Sequence, residues 1–316
     1  MRALLSTRRR RVWLAFAIFV AAPAALLAGA WVATPSAGDL QARVRARLRV
    51  TGGRALPLGA IAPILREAVV ATEDERFYRH HGVDVVGLLR ALPYDLVHLS
   101  FAQGASTITE QLAKQLYLGG NDHNPWRKLE DATLAVKLEG RQSKQQLLAA
   151  YLDSAYFGER AYGASAASEH YFGVPPSRLD TAQATLLAGL IQAPSAYDPE
   201  RRPAAARARQ VDVLRSLVRT GVLTGGEAAA VLSRPLRLRS GAVLEPIRGI
   251  PLAPGPAFVW WQLGLGTAIA AAGIAVWIAL RALRFHAGRG VLALRLVPLV
   301  LVVVGAAAVV RSFRTA

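Results

Sequence analysis

Three long runs without charge constrain this chain more than any other feature. Val12 to Ala33 holds about 22 residues without a charged side chain, or roughly 33 Å of helix, enough to cross the hydrocarbon core of a bilayer. Trp13 and Trp31 stand at its two ends, where amphipathic rings prefer to lie. Ala257 to Leu280 is a second such run, with Trp260 and Trp261 near its start. Val291 to Val310 is a third, broken only by Arg295, which is close enough to the start for its side chain to reach the headgroups. A composition 53% hydrophobic agrees with three spans rather than with a wholly soluble chain. A cleaved signal peptide is the alternative for the first run, but its apolar core is longer than such peptides carry, which favours a retained anchor.

Orientation follows from the basic residues. Arg8, Arg9, Arg10 and Arg11 precede the anchor, and Arg281, Arg284 and Arg289 fill the short loop between the last two runs. Both groups belong on the cytoplasmic side, which places residues after Ala33 outside; only Arg311 and Arg314 pull the other way. The expected organisation is a basic tail and anchor over 1–34, an extracytoplasmic domain over 35–245, a Pro- and Gly-rich linker over 246–256, and a transmembrane hairpin with a short tail over 257–316. A net charge of +17 calls for an anionic partner, and an external domain points to lipid or phosphate rather than nucleic acid. The chain has no cysteine, which excludes disulfides and thiol chemistry.

Helical periodicity dominates the external domain. The exception is RVRARLRV, residues 43–50, where arginine alternates with apolar residues and a short strand is expected. Thr107 and Glu110 fit a capping box that starts a helix with Ile108, Leu112 and Leu116 as its buried stripe. Those hydroxyls either only cap, or they form a phosphate site together with Lys114. Another helix begins at Asn124-Pro125, with Arg127 and Asp131 at i,i+4 spacing and Lys128 three residues before Asp131. Ser143 and Gln146 form a further capping box, and residues 180–194 are apolar nearly all round, as a central core helix should be. The stretch ATEDERFYRHHGVD, residues 71–84, sets Glu73 and Asp74 where an apolar run meets a charged one. A carboxylate there is either a partly desolvated proton acceptor, or part of a surface helix with a Glu75–Arg79 ion pair.

Taken in order, these stretches resemble the glycosyltransferase domain (glycosyltransferase family 51) of penicillin-binding proteins and monofunctional peptidoglycan transglycosylases. ATEDERFYRHHGVD resembles the first motif through Glu73, Asp74, Phe77, His80 and Gly82, and GASTITEQLAKQLYL the second, with Lys114. RKLED resembles Arg-Lys-x-x-Glu, while YLDSAYFGERAYGASAASEHYFG and LLAGLIQAPSAYDP resemble the fourth and fifth. The match covers roughly 55–218, and five motifs in order make chance remote.

The resemblance implies a mainly α, lysozyme-like fold in the bacterial inner (cytoplasmic) membrane, with its catalytic domain on the extracytoplasmic side. The implied substrates are lipid II and the growing glycan strand. A sugar hydroxyl attacks the anomeric carbon with inversion, and undecaprenyl pyrophosphate leaves. Glu73 matches the general base and Asp131 the second carboxylate. Asp74, Ser106, Thr107, Thr109, Gln111, Lys114, Arg127 and Lys128 match substrate-binding positions. The resemblance leaves the cofactor open, with a divalent cation such as Mg2+ or Mn2+ able to assist the departure of the pyrophosphate. The chain departs from the pattern at Asp131 (family Glu), Glu110 (family Gln), Asp153 (Asn) and Gln183 (Glu). No serine has lysine three positions on, so the transpeptidase nucleophile is absent from this sequence. The alternative from another class is a weak or inactive membrane protein of the same fold that binds lipid II or a cell-wall partner. A lysozyme-like hydrolase fits the motifs less well. The hairpin is expected to pack on the anchor through its small residues, with other cell-wall synthesis proteins as alternative partners.

Overall fold

A computed structural model describes residues 21–88, 106–119 and 125–252. The chain divides into two units, Met1–Leu252 and Ala253–Ala316; everything described belongs to the first, and the expected hairpin lies outside the described residues. Residues 21–33 are helical (α1), and the first part of the expected anchor, 12–20, also lies outside them. Among the described residues no helix is long and apolar enough to cross a membrane.

The unit is mainly helical. After α1 come α2 (Leu40–Thr51), α3 (Pro63–Glu73), α4 (Ile108–Ala113), α5 (Pro125–Glu139), α6 (Lys144–Ser154), α7 (Gly163–Phe172), α8 (Thr181–Leu190), α9 (Pro203–Arg219) and α10 (Gly225–Leu232). A two-stranded antiparallel ribbon, β1 (Leu236–Arg237) and β2 (Val243–Leu244), pairs Leu236 with Leu244. Residues 246–252 of the linker adopt neither helix nor strand.

The strand expected over 43–50 is helix α2. Leu40, Val44 and Leu48 fall four apart and are its buried residues, whereas Val50 is 87% exposed. Arginine is a good helix former, and the apolar stripe begins at Leu40, upstream of the alternating window. The arginine row meets aromatic rings: Arg43 lies 4.2 Å over Tyr117 and Arg47 lies 4.7 Å over Tyr162.

Helix α8 is the central helix that its composition called for, with Ala184 to Leu190 all buried. It packs against α3 on one side and α9 on another. The main core gathers Leu65 and Val69 of α3, Leu112 of α4, Leu138 of α5, Tyr151 of α6, Leu187 of α8 and Leu217 of α9. Capping boxes begin α4 (Thr107/Glu110), α6 (Ser143/Gln146), α8 (Asp180/Gln183) and α10 (Thr224/Glu227). Gln183, flagged as a departure, caps α8 with its amide oxygen 3.1 Å from the Asp180 N–H.

Two local features hold the site's framework. Gly82 sits at φ +93°, and a Cβ there would come 2.7 Å from Val136 N, so the loop after α3 closes directly on the backbone of α5. Buried Arg207 donates to the carbonyls of Glu245, Leu232 and Arg234 and to Gln210 Oε1, binding the C-terminal ribbon to α9.

Candidate active site

Glu73 is the last residue of α3, where the apolar face of the helix delivers its carboxylate to the interior. The side chain is only 9% exposed. Gln111 Nε2 donates to Glu73 Oε2 at 2.9 Å, and the guanidinium of Arg209 lies 3.7 Å from Oε1. Tyr151, fully buried on α6, donates its hydroxyl to Gln111 Oε1 at 2.8 Å, which fixes which way the amide points. Burial raises the Glu73 carboxyl above the ordinary carboxylate range; Gln111 and Arg209 act against that rise, and neighbouring Asp74 adds to it. The Tyr151 phenol is pushed well up by burial and by the nearby carboxylates, so it stays a donor.

Asp74, adjacent in sequence, does a different job. Its side chain is 3% exposed, accepts from His80 Nε2 at 3.0 Å and accepts the Ile108 N–H at 3.0 Å. It therefore ties the end of α3 to the start of α4, and its oxygens are engaged within the protein. The Glu75–Arg79 pair does not form. Helix α3 stops at Glu73, Phe77–Arg79 is a 3-10 turn, and Glu75 instead meets Arg219 of α9 at 3.2 Å.

The hydroxyls at the head of α4 are also spoken for. Thr107 Oγ1 donates to Gly82 O at 2.6 Å and accepts the Glu110 N–H at 3.1 Å. Thr109, fully buried, donates to Glu139 Oε1 at 2.7 Å, and that oxygen is 2.6 Å from Lys144 Nζ. The N–H groups of Thr107, Ile108 and Glu110 are all satisfied by side chains, so Thr107 caps the helix, whereas the Thr109 hydroxyl faces inward to Glu139. Ser106 alone is exposed, and its Oγ accepts from Lys128 Nζ at 2.9 Å.

A cluster of charges forms where α4 faces α5. Lys128 Nζ lies 3.1 Å from Glu110 Oε1, while Arg127 spans Glu130 at 3.7 Å and Asp131 at 4.0 Å. Glu130 thus reaches the same guanidinium as Asp131, although the helical rotation between them sends their side chains apart. Lys114, half-buried, opens a π-helical segment, Lys114–Leu118, that continues α4. Asp131 is 8% exposed, with Oδ1 lacking a hydrogen-bond partner among the described residues. Burial raises its carboxyl; Lys128, Arg127 and Lys114 oppose the rise, and Glu110 adds to it. Among the described residues no group of three or more His, Cys, Asp or Glu is arranged to hold a metal ion.

Two neighbours on α4 join these halves: Gln111 reaches back to Glu73 and Glu110 reaches out to Lys128. The sequence singles out Glu73, Asp131 and the cations but gives no sign of the contacts made by Tyr151 and Arg209. Tyr151 opens the fourth motif, yet its pairing spans 40 positions. Arg209 lies on a helix outside every quoted motif and carries no local signal. The departure at Asp153 is a buried carboxylate whose two oxygens each lie 3.2 Å from the Leu56 N–H, and burial pushes its pKa to about 7.

Residues 42–218 match the transglycosylase family model, a span that begins within α2, upstream of the motifs. A protein assigned as a transglycosylase from Cupriavidus necator is 42% identical over 186 residues, which are 58% of this chain and 79% of that protein. Penicillin-binding protein 1A of Neisseria lactamica is 42% identical over 167 residues, 53% of this chain and 21% of its own. The same protein of Neisseria gonorrhoeae is 41% identical over 179 residues, 57% of this chain and 22% of its own. The chain spans about a fifth of the length of those penicillin-binding proteins. With its five motifs folded into one helical unit around Glu73 and the α5 cations, the chain belongs to the transglycosylase family.

Proposed function

We propose that the protein is a membrane-anchored peptidoglycan glycosyltransferase that polymerises lipid II into β-1,4 glycan strands with release of undecaprenyl pyrophosphate. Membership of the transglycosylase family carries the reaction class. The observation that carries the mechanism is the buried Glu73 carboxylate, oriented by Gln111 and raised by burial. A carboxylate so placed accepts a proton closer to neutral pH than an exposed one. In the proposed step Glu73 takes the proton of the attacking sugar hydroxyl as the new bond to the anomeric carbon forms with inversion. The bond to the pyrophosphate oxygen breaks, and the negative charge developing there is met by Lys114, Arg127 and Lys128. Asp131 orders Arg127 within that cluster.

The rest of the reading follows from the chemistry of the leaving group. An undecaprenyl chain stays in the bilayer, so the enzyme works at the extracytoplasmic face of the inner membrane with the 12–33 run as its anchor. The sequence carries no Ser-x-x-Lys, so the proposal is confined to strand polymerisation.

Glycan-strand formation by the purified full chain in detergent, assayed beside lipid II binding, tests it. Glu73→Gln keeps the size and a hydrogen-bonding group but cannot take the proton, and its rate should fall about 10² to 10⁴-fold with lipid II binding retained. Asp131→Glu, which restores the family residue, should be tolerated or faster. No polymer from the unmutated protein, together with clear lipid II binding, would move the reading to a non-catalytic lipid II binder.

A further inference from the structure

The three cations of the α4–α5 cluster do not present three net charges. Arg127 is shared between Glu130 and Asp131, and Lys128 is paired with Glu110. Of these carboxylates Glu110 is placed unlike the others. Its side chain is 3% exposed while that of Lys128 is 49% exposed, so the carboxylate sits behind the ammonium as seen from solvent. Oε2 is committed to the Thr107 N–H at 2.8 Å, which leaves Oε1 for Lys128. Of the three Lys128 protons, one faces Glu110 and one Ser106 Oγ, leaving one for an incoming anion.

The cap alone does not need this charge. The boxes that start α6 and α8 use glutamine at the same position, with Gln146 Oε1 2.8 Å from the Ser143 N–H and Gln183 Oε1 3.1 Å from the Asp180 N–H. The remaining glutamate, Glu227, serves an exposed box with no cation on its carboxylate among the described residues. A carboxylate at position 110 is thus surplus to capping, and what it adds is a buried negative charge against the most exposed cation of the cluster.

Resting on the reading of this cluster as a pyrophosphate site, we infer that Glu110 is a specificity-determining residue: a fixed counter-charge that lowers the affinity of Lys128 for the pyrophosphate of substrate and product. It limits how tightly the released lipid pyrophosphate is held and biases the site toward anions carrying more charge than a single carboxylate. For charges about 6 Å apart in a half-exposed site, replacing the carboxylate by an amide should tighten pyrophosphate binding by about tenfold at low salt and about threefold at physiological salt.

The test measures the Kd of inorganic pyrophosphate for the full chain in detergent at low and physiological salt, for the unmutated protein, Glu110→Gln and Lys128→Ala. Thermal unfolding runs alongside; the glutamine caps at 146 and 183 lead us to expect an unchanged midpoint. Tighter binding by Glu110→Gln with a steeper salt dependence, and weaker binding by Lys128→Ala, is the expected result. Equal or weaker binding by Glu110→Gln, or an unchanged Kd for Lys128→Ala, overturns the inference while leaving the cluster an anion site. If none of the three proteins binds pyrophosphate, the proposed function of the cluster falls, and the inference with it.

Discussion

Removing the amide that orients Glu73, the proposed general base, gives the most decisive probe of the site. In Gln111→Leu the volume is nearly kept, but Glu73 loses the donor 2.9 Å from Oε2, and Tyr151 loses its acceptor. The Gln111 bond favours the ionised form of Glu73, so without it the carboxyl, already raised by burial, rises further. A hydrogen bond to a charged group contributes about 1.5 to 3 kcal/mol, and one pH unit corresponds to about 1.4 kcal/mol. Arg209 stays 3.7 Å away, and the loosened carboxylate recovers some water, which together cut the effect by about half. The acid limb of kcat/KM for strand polymerisation should therefore move up by about half to one pH unit, because the base must be ionised to act. Stability should fall by about 1 to 2 kcal/mol from the stranded Tyr151 hydroxyl. The assay is the pH profile of initial rates with purified protein, with urea unfolding beside it. A lower rate with an unmoved acid limb would refute the reasoning, since Gln111 would then act on something other than the protonation of Glu73.

Two further outcomes follow from buried charges away from the site. Because burial lifts Asp153 from its ordinary value to about 7, the folded state holds that proton more tightly than the unfolded chain. Its contribution to stability is therefore full below about pH 4 and is lost as pH rises to about 7. Asp153→Asn removes that loss and should stabilise the protein by about 2 to 4 kcal/mol at pH 8 but little at pH 4, as thermal unfolding at the two pH values will show. An equal gain at both would mean that the carboxylate is not the cause. Arg207→Met strands the carbonyls of Glu245, Leu232 and Arg234, and should cost about 3 kcal/mol in denaturant unfolding, with residues 233–252 becoming the first site of proteolytic cleavage. Retained protease resistance there would show that the ribbon is held by its apolar contacts alone.

What could be read from the sequence was whatever is local. Capping boxes repeat within four residues, so Thr107/Glu110 and Ser143/Gln146 were legible as helix starts. The strand expected over 43–50 failed because an alternating window of eight residues cut off Leu40, the first member of the helical stripe. The charged stretch after α3 invited an i,i+4 pair, but that rule applies only while the helix continues, and α3 ends at Glu73. The partners of Glu73 were beyond reach for a different reason. Gln111 and Arg209 lie 38 and 136 positions further along the chain, and no spacing rule links them to it. The same holds for Thr109, whose partner Glu139 belongs to another helix, so a hydroxyl expected at the substrate turned out to be part of the core.

The two ends of α5 set a length. Near its start it carries Arg127 and Lys128; near its end Lys137 Nζ donates to Trp31 O at 2.6 Å and Thr34 O at 2.8 Å, closing the last turn of α1. The nine steps from Lys128 to Lys137 fix about 13.5 Å of rise between the cation cluster and the point where α1 ends, and no loop intervenes to absorb a change. A single residue inserted into α5 would lengthen that span by about 1.5 Å and turn one end against the other by about 100°. On the proposed reading this helix is a measuring rod. It sets how far from the end of α1 a phosphate must stand to be gripped, so the enzyme would choose its substrate by reach as well as by charge.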